Sequence, residues 1–371
     1  MEPNIKIGKL FGIQIGLSYS WFILFLLITF SLWSRFSSED AWGAGTNWVV
    51  ALTASTLFFL SLLGHEMAHS VLALAKGLPV RSITLFIFGG VSQIEKEAMS
   101  AATEFWVGVG GPVSSFVIGA GFLALSFLFE RGSPVGAMLY YLWYINLGLA
   151  IFNMLPGYPM DGGRVLRAAV WAVTGDVHRA TRTAAGIGRG LAYVMIVLGI
   201  LRAVLGGDLI SGLMLAFVGW FLLNAARSSQ QSDSFEAAIT GVHARDVMST
   251  SAKTVASRMS LADFFDEHLI RTGNRCFIVA ENGRLLGLLT PRELKAVPRD
   301  HWPSLTAGQA MKPFETLRSV EPGAELSNVL EVMEKDHVSQ VPVVTDGHLE
   351  GLIRKEDILR FIETRNEFDG A

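Results

Sequence analysis

The sequence predicts a polytopic α-helical membrane domain of about six transmembrane helices with a membrane-associated β-hairpin, followed by a cytosolic α/β module made of two similar copies. Three observations support this prediction. The mean hydropathy is +0.41 and only 17% of the residues are charged, which is too apolar for a single soluble globule. Charged residues are more than twice as dense after residue 225 as before it. The second part of the chain also contains an internal repeat.

Six segments are long and apolar enough to cross a bilayer. A transmembrane helix needs about 20 mostly apolar residues, since the hydrocarbon core is about 30 Å thick and a helix rises about 1.5 Å per residue. The segments are 15–33, 47–75, 105–129, 135–155, 191–205 and 209–225. With the N-terminus inside, most Lys and Arg of the connecting loops lie in the cytoplasm. We therefore expect a multi-pass cell-membrane protein whose N-terminus and C-terminal module are cytoplasmic.

A β-hairpin is predicted between the second and third segments. Residues 80–88 alternate polar and apolar side chains, Gly89 and Gly90 follow, and a second short strand ends at Ile94.

Composition and the repeat divide the chain into four predicted parts. Residues 226–240 are rich in Ser and Gln and lack apolar periodicity, which indicates a linker. The parts are a membrane domain at 1–225, the linker at 226–240, a first copy of the repeat at 241–300 and a second copy at 301–371.

The two copies of the repeat align residue by residue. Met248 aligns with Met311, and Gly287 aligns with Gly351. Each copy has a helical stretch, two short strands around a glycine turn and a further helix. The turns are Asn282-Gly283 and Asp346-Gly347. Because the repeat is too long for a solenoid unit, we expect two paired α/β modules.

Cysteine content and charge exclude other classes of protein. The single cysteine, Cys276, excludes internal disulfides and cysteine-rich zinc modules. The net charge of −3 gives no basis for nucleic-acid binding.

The motif His65-Glu66-Met67-Ala68-His69 lies inside the second apolar segment. Positions i and i+4 share a helix face, so both imidazoles can bind one Zn²⁺ while Glu66 acts on the bound water as general base. Ionisable residues are costly to bury in a membrane, which favours a functional role. The alternative is a pair of structural histidines hydrogen-bonded between helices.

Catalytic zinc usually has three protein ligands, and Asp161 is the best candidate for the third. It follows the fourth apolar segment, where prolines and glycines break the helix. The second and fourth segments run in the same direction through the membrane, so we expect His69 and Asp161 at the same depth and side. The alternative is a capped turn at a membrane exit.

These residues resemble the site-2 protease family of intramembrane zinc metalloproteases. The resemblance rests on two motifs, His65-Glu66-x-x-His69 and Asn153-x-x-Pro156-x-x-Pro159-x-Asp161-Gly162. The tandem repeat resembles a pair of CBS domains, as in the sporulation-factor-FB-like branch of the family. The family often has Leu where this chain has Met160, a departure that changes no chemical group.

The resemblance implies roles for the residues of both motifs. His65, His69 and Asp161 would bind one zinc ion, Glu66 would be the catalytic base, and Asn153 would contact the substrate or the oxyanion. The implied reaction is hydrolysis of a peptide bond within or near a transmembrane helix of a membrane-tethered protein.

The predicted hairpin and the third apolar segment each have two interpretations. An edge strand of the hairpin would hold the unwound substrate by strand addition, or the hairpin would only pack at the membrane surface. Gly111 and Ser115 are typical of close helix packing, which we favour, although the family has similar glycine-rich starts near its catalytic helix.

The repeats resemble CBS turns that bind adenosine nucleotides, which implies ATP or AMP as a regulator. In such turns a hydroxyl residue meets phosphate and an acidic residue meets ribose. The first copy has Thr290 and Glu293 at these positions, and the second has Asp357 at the acidic one. Arg354 replaces the hydroxyl residue of the second copy. The alternative is a module used only for dimerisation or substrate docking. CBS pairs commonly meet a second pair, so a homo-oligomer is also implied.

Two other function classes compete with the protease. One is a CBS-gated transporter or channel in which His65, His69 and Asp161 form an ion site. Glu66 argues against it, because a transport site needs no unligated carboxylate next to the first histidine, whereas hydrolysis requires one. The other is a metal-dependent hydrolase of lipids or small amides.

Overall fold

A computed structural model of the chain describes residues 3–39, 42–87, 89–94, 98–130, 132–250, 253–272, 275–281, 284–336, 338–345 and 348–369. Contacts divide the chain into two compact units, Met1–Asp233 and Ser234–Ala371.

Among its described residues, the first unit combines seven helices with a small sheet. Its strands are β1 (Ile5–Leu10), β2 (Ile13–Leu17), β3 (Val80–Phe86) and β4 (Gly89–Ile94). Its helices are α1 (Tyr19–Glu39), α2 (Ala44–Ala75), α3 (Ala101–Ser126), α4 (Pro134–Asn153), α5 (Asp161–Thr174), α6 (Val177–Val204) and α7 (Leu209–Ile239).

Six of these helices are long and apolar enough to span a membrane, which confirms the predicted fold class. They are all except α5. Their bounds differ from the predicted segments in three places. The first span begins at Tyr19, because residues 13–17 form strand β2. The fifth span begins at Val177, well before residue 191. Helix α7 continues as far as Ile239, through most of the segment predicted as a linker.

The sheet has the order β1-β2-β3-β4. Strands β1 and β2 form a hairpin that the sequence analysis missed, with positive φ angles at both turn residues, Phe11 (51°) and Gly12 (81°). The β3–β4 hairpin was predicted and is present, and its register pairs Ile83 with Ser92. Gly89 and Gly90 begin β4 rather than forming the turn. Strand β4 lies at one edge of this sheet, because it comes last in the strand order.

The amphipathic helix α5 was not predicted, although the sequence carries its boundary signals. Asp161 opens its first turn, where a carboxylate is favoured by the helix dipole. Gly175 ends the helix in a left-handed conformation with φ 70°. Asp176 then caps α6 by accepting a hydrogen bond from Arg179 N at 2.9 Å.

The second unit contains the two repeat copies. Its α-helices are α8 (Ala244–Val247), α9 (Leu261–Asp263), α10 (Pro291–Lys295), α11 (Ala307–Ala310), α12 (Leu326–Lys335) and α13 (Lys355–Asp369), and a π-helix at Phe264–Ile270 continues α9. Its strands are β5 (Thr254–Ala256), β6 (Phe277–Glu281), β7 (Arg284–Leu289), β8 (Lys312–Pro313), β9 (Gln340–Thr345) and β10 (His348–Arg354). Strands β5–β8 form one sheet, and β9 and β10 form another.

The two copies exchange backbone pairs in the same way. Lys312, at the start of the second copy, pairs with Leu288 of the first, and Ser249 of the first copy pairs with Leu352 of the second. A methyl group at Gly287 would lie 2.9 Å from Met311 Sδ, and one at Gly351 would lie 3.0 Å from Met248 Sδ, so the aligned glycine of each copy packs against the aligned methionine of the other. The turns Asn282-Gly283 and Asp346-Gly347 lie outside the described residues. The predicted limits of the four parts of the chain stay a prediction.

Candidate functional site

His65 and His69 lie one helical turn apart on α2 and turn the same edge of their rings toward Asp161. The two Nε2 atoms are 3.2 Å apart. Asp161 Oδ2 lies 3.0 Å from His65 Nε2, and Asp161 Oδ1 lies 3.2 Å from His69 Nε2. The histidines are only 3% and 4% exposed. The structure thus brings the three predicted ligands together.

The spacing of these atoms fits a zinc ion. Two atoms bound about 2.1 Å from a tetrahedral zinc ion lie about 3.4 Å apart, close to the separations observed here. Two imidazoles and a carboxylate are also a donor set that zinc accepts. Within the described residues, this is a cluster of His, Cys, Asp or Glu whose ligand atoms all lie within 4.8 Å of one another.

The outer nitrogens of both histidines are held by α3. His69 Nδ1 lies 2.6 Å from the carbonyl oxygen of Val107, and His65 Nδ1 lies 2.9 Å from the hydroxyl of Ser115. A carbonyl oxygen only accepts, so His69 Nδ1 carries a proton. A metal would therefore bind at Nε2, where it would replace the contact with Asp161. Such partners fix ring orientation and tautomer at zinc sites.

Gly111 of α3 faces the two Nε2 atoms directly. A methyl group at its Cα would overlap His69 Nε2 and would lie 2.5 Å from His65 Nε2. The packing interpretation of Gly111 and Ser115 was incomplete, because both residues shape the histidine pair itself.

The loop 154–160 places Asp161. Tyr158 N donates a hydrogen bond to Ala184 O of α6 at 3.2 Å. Met160 is buried among apolar side chains that include Leu222 and Leu223, so another apolar side chain of similar size would fill its place. Burial acts to raise the pKa of the Asp161 carboxyl, but the hydrogen bonds to both histidines hold that pKa below its ordinary value. Asp161 is therefore an ionised carboxylate.

A buried ion cluster joins α5 to α3 next to the site. Glu104 of α3 is 1% exposed and accepts from Arg164 Nε at 3.1 Å and from a terminal nitrogen of Arg164 at 3.3 Å. A terminal nitrogen of Arg167 lies 3.5 Å from the same carboxylate. Burial raises the pKa of the nearby Tyr158 to about 12, with Arg167 opposing the change. Glu104 thus joins α5, which begins with Asp161, to α3, whose Val107 and Ser115 bond the two histidines.

Glu66 is half-buried and turns toward strand β4. The hydroxyl of Ser92 donates to Glu66 Oε2 at 3.0 Å. Asn153 is the last residue of α4 and is half-buried. Among the described contacts, the hydrogen bonds of the three ligand side chains run to one another, to Val107 and to Ser115 rather than to Asn153.

A second site lies in the repeat unit. A cavity of 640 Å³ is lined by Thr290 and Glu293 from the first copy and by Arg354 from the second. Four further basic residues line it, namely Arg275, Arg292, Lys312 and Arg360. Burial raises the pKa of the Cys276 thiol in its wall to about 12.

The predicted nucleotide contacts bond to each other in this structure. Thr290 Oγ1 contacts the Glu293 carboxylate, which also accepts from Thr290 N at 3.0 Å, so the pair caps α10. Arg354 donates to both carboxylate oxygens of Asp357 at 2.7 and 2.8 Å. Asp357 does not belong to the lining of the cavity.

Comparisons with known proteins match the membrane part and the repeat part of the chain to two different families. A model described as Peptidase family M50 matches residues 128–197, and a CBS domain model matches residues 244–299 and 309–364. The protein sll0528 of Synechocystis sp., provisionally named a zinc metalloprotease, is 31% identical over 98% of this chain and 97% of its own length. Zinc metalloprotease MJ0392 of Methanocaldococcus jannaschii is 30% identical over 97% of this chain and 96% of its own length. The solved structure of a site-2 protease from Methanocaldococcus jannaschii is 30% identical, covers 61% of this chain and 94% of that chain, and has a TM-score of 0.43.

Proposed function

The chain belongs to peptidase family M50, the site-2 protease family of zinc metalloproteases, and from this premise we propose that it cleaves a peptide bond within a transmembrane helix of a membrane-tethered protein. The family makes it a zinc metalloprotease with a polytopic membrane domain and a pair of CBS domains.

In this proposal His65, His69 and Asp161 hold the zinc ion. The observation that supports it best is the meeting of the two Nε2 atoms and the two oxygens of the Asp161 carboxylate, with contacts of 3.0–3.2 Å, while both outer histidine nitrogens are already bonded to α3. Zinc bound there would supply a Lewis acid that polarises the scissile carbonyl and lowers the pKa of a water molecule.

Glu66 is the general base of the proposed reaction. It takes a proton from the attacking water and returns it to the leaving amine. Burial of the histidines keeps bulk water from competing at the site, which strengthens the electrostatic interactions there. Asn153 is proposed to contact the substrate or the oxyanion, in accordance with the family motif.

The substrate must be unwound before cleavage, because a helix hides its carbonyls in its own hydrogen bonds. We place the unwound segment along β4. This strand is at the edge of its sheet, and its Ser92 touches the proposed base. A segment paired with β4 would therefore run beside Glu66.

The CBS pair is proposed to bind an adenine nucleotide in the 640 Å³ cavity and thereby to regulate cleavage. The basic lining supports this, since Arg side chains bind phosphate oxygens with charge-assisted hydrogen bonds. We also propose that the N-terminus and the CBS pair are cytoplasmic, as the positive-inside distribution indicates, and that the CBS pairs of two chains associate.

The test uses the full-length protein purified in detergent with a panel of single-span substrate proteins. We expect cleavage by the wild type, loss of cleavage after zinc is removed with a chelator, and recovery when zinc is added back. Glu130→Gln, at an exposed position, serves as a matched control for Glu66→Gln. A zinc-loaded protein that cleaves no member of the panel would count against the proposal, and transport assays would follow.

A further inference from the structure

We propose that Ser92 is a positioning residue that holds the Glu66 carboxylate in its working orientation. The inference rests on the proposed function, because it assigns a role to a neighbour of the proposed base. It assigns a supporting role to a residue of the β3–β4 hairpin, outside both sequence motifs.

The contact joins one strand residue to one oxygen of the carboxylate. Ser92 Oγ lies 3.0 Å from Glu66 Oε2 and 3.3 Å from the Glu66 backbone oxygen. A hydroxyl that donates to an ionised carboxylate forms a stronger bond than a neutral pair does. The Ser92 bond runs to Oε2, and we assign the uptake of the proton to Oε1.

Ser92 is itself held from two sides. The β3–β4 pairing fixes its backbone opposite Ile83, which is fully buried. Its hydroxyl lies 3.1 Å from the hydroxyl of Ser70, a fully buried residue one turn after Glu66 on α2. The Ser70 hydroxyl has one proton, which it donates either to Ser92 Oγ or to the Glu66 backbone oxygen 2.9 Å away. The serine that contacts the base therefore has little freedom to leave it.

Gly90 supports the same contact from two residues earlier on β4. Residues i and i+2 of a strand lie on one face, so Gly90 and Ser92 both face α2. A methyl group at the Cα of Gly90 would overlap the Glu66 side chain and would lie 2.9 Å from its Cδ. The absence of a side chain at residue 90 lets the strand come close enough for the Ser92 hydroxyl to reach the carboxylate.

Glutamate needs such support because it has several rotatable bonds. Without a partner, the carboxylate would sample other rotamers, and each turnover would wait for the correct one. Loss of a partner that orients a group at a metal site typically costs 10–100-fold in activity. We therefore expect Ser92 to affect the chemical step rather than zinc binding or substrate binding.

The experiment compares Ser92→Ala, Ser92→Thr and Ser82→Ala in the full-length protein. Ser82 is a matched control, since it belongs to the same hairpin and bonds Gln93 Oε1 at 2.9 Å instead of Glu66. Zinc content, kcat and KM are measured with one cleaved substrate. For Ser92→Ala we expect a roughly 10–100-fold lower kcat, a KM within about twofold of wild type and unchanged zinc. Ser92→Thr, which keeps the hydroxyl, should recover most of the kcat.

Several results would overturn the inference. They are an unchanged kcat in Ser92→Ala, a loss of zinc in that variant, a failure of Ser92→Thr to recover kcat, or an equal loss of kcat in Ser82→Ala. Failure of the proposed function has a different signature, because wild type and Glu66→Gln would then behave alike. If those two proteins differ and Ser92→Ala matches wild type, only the positioning role is wrong.

Discussion

Gly111 of α3 lies against His69 of α2 so closely that any side chain at residue 111 would overlap the His69 Nε2 atom. The same helix binds the outer nitrogens of both histidines through Val107 and Ser115. Helix α3 is therefore one wall of the proposed zinc site, and the small residue at 111 is needed where the metal would be held.

Gly111→Ala should weaken zinc binding by at least about tenfold, because the added methyl group displaces the ligand nitrogens. Zinc per chain and zinc affinity are measured by metal analysis and competition with a chelator. Gly121→Ala is the control, since residue 121 is on the same helix and has open space around its Cα. Equal zinc affinity in the two variants would contradict the proposed position of the metal.

Glu104→Gln should lower both thermal stability and zinc affinity. The change removes the carboxylate that joins Arg164 and Arg167 to α3, and loss of one partner of a buried ion pair costs roughly 3–5 kcal/mol. The helix that starts with Asp161 is then less firmly held. Thermal unfolding in detergent and zinc titration check this, with exposed Glu130→Gln as control. An unchanged unfolding temperature would show that the cluster does not hold α5.

The sequence predicted which three side chains meet at the proposed zinc site but not the groups that support them. His65 and His69 follow from helical spacing, and Asp161 from the direction of two spans. Their supports come from α3, which contributes a backbone oxygen at Val107 and a small side chain at Ser115. A backbone acceptor carries no side-chain signal, so it could be found only from the structure.

The fold was also predicted only in part from the sequence. Hydropathy located all six spans, but it misplaced the start of the first, because the apolar strand β2 runs almost directly into α1. Two turn residues with positive φ, Phe11 and Gly12, form the hairpin there, and Phe11 is an unusual residue for such a turn. Helix α5 was missed because it is amphipathic and does not register as a span, although Asp161 and Gly175 mark its ends.

Cys276 should resist alkylation in the folded protein. Burial raises the pKa of its thiol to about 12, so the reactive thiolate is scarce at pH 8. We expect iodoacetamide to react at least about 100-fold more slowly with the native protein than with the denatured chain, and faster as the pH rises toward 12. As this is the single cysteine of the chain, mass spectrometry reads the rate directly. Equal rates in the native and denatured protein would show that the Cys276 thiol is exposed to solvent.

Arg354→Ala should weaken ATP binding by about tenfold or more if its guanidinium meets the phosphates in the cavity. Isothermal titration of the full-length protein measures the affinity. Arg258→Ala is the control, because that side chain is 89% exposed and pairs with Glu281 instead. Unchanged affinity in Arg354→Ala would remove Arg354 from the site, and no binding by wild type would favour a module used for docking or dimerisation.

The most direct test of the proposed zinc protease is zinc content and cleavage measured together in Glu66→Gln and Asp161→Asn. We expect Glu66→Gln to bind about one zinc ion per chain and to cleave nothing, because the ligands remain while the base is lost. Asp161→Asn should bind zinc far more weakly and also fail to cleave. Cleavage at the wild-type rate by Glu66→Gln, or zinc bound by Asp161→Asn as tightly as by wild type, would contradict the roles assigned to these residues.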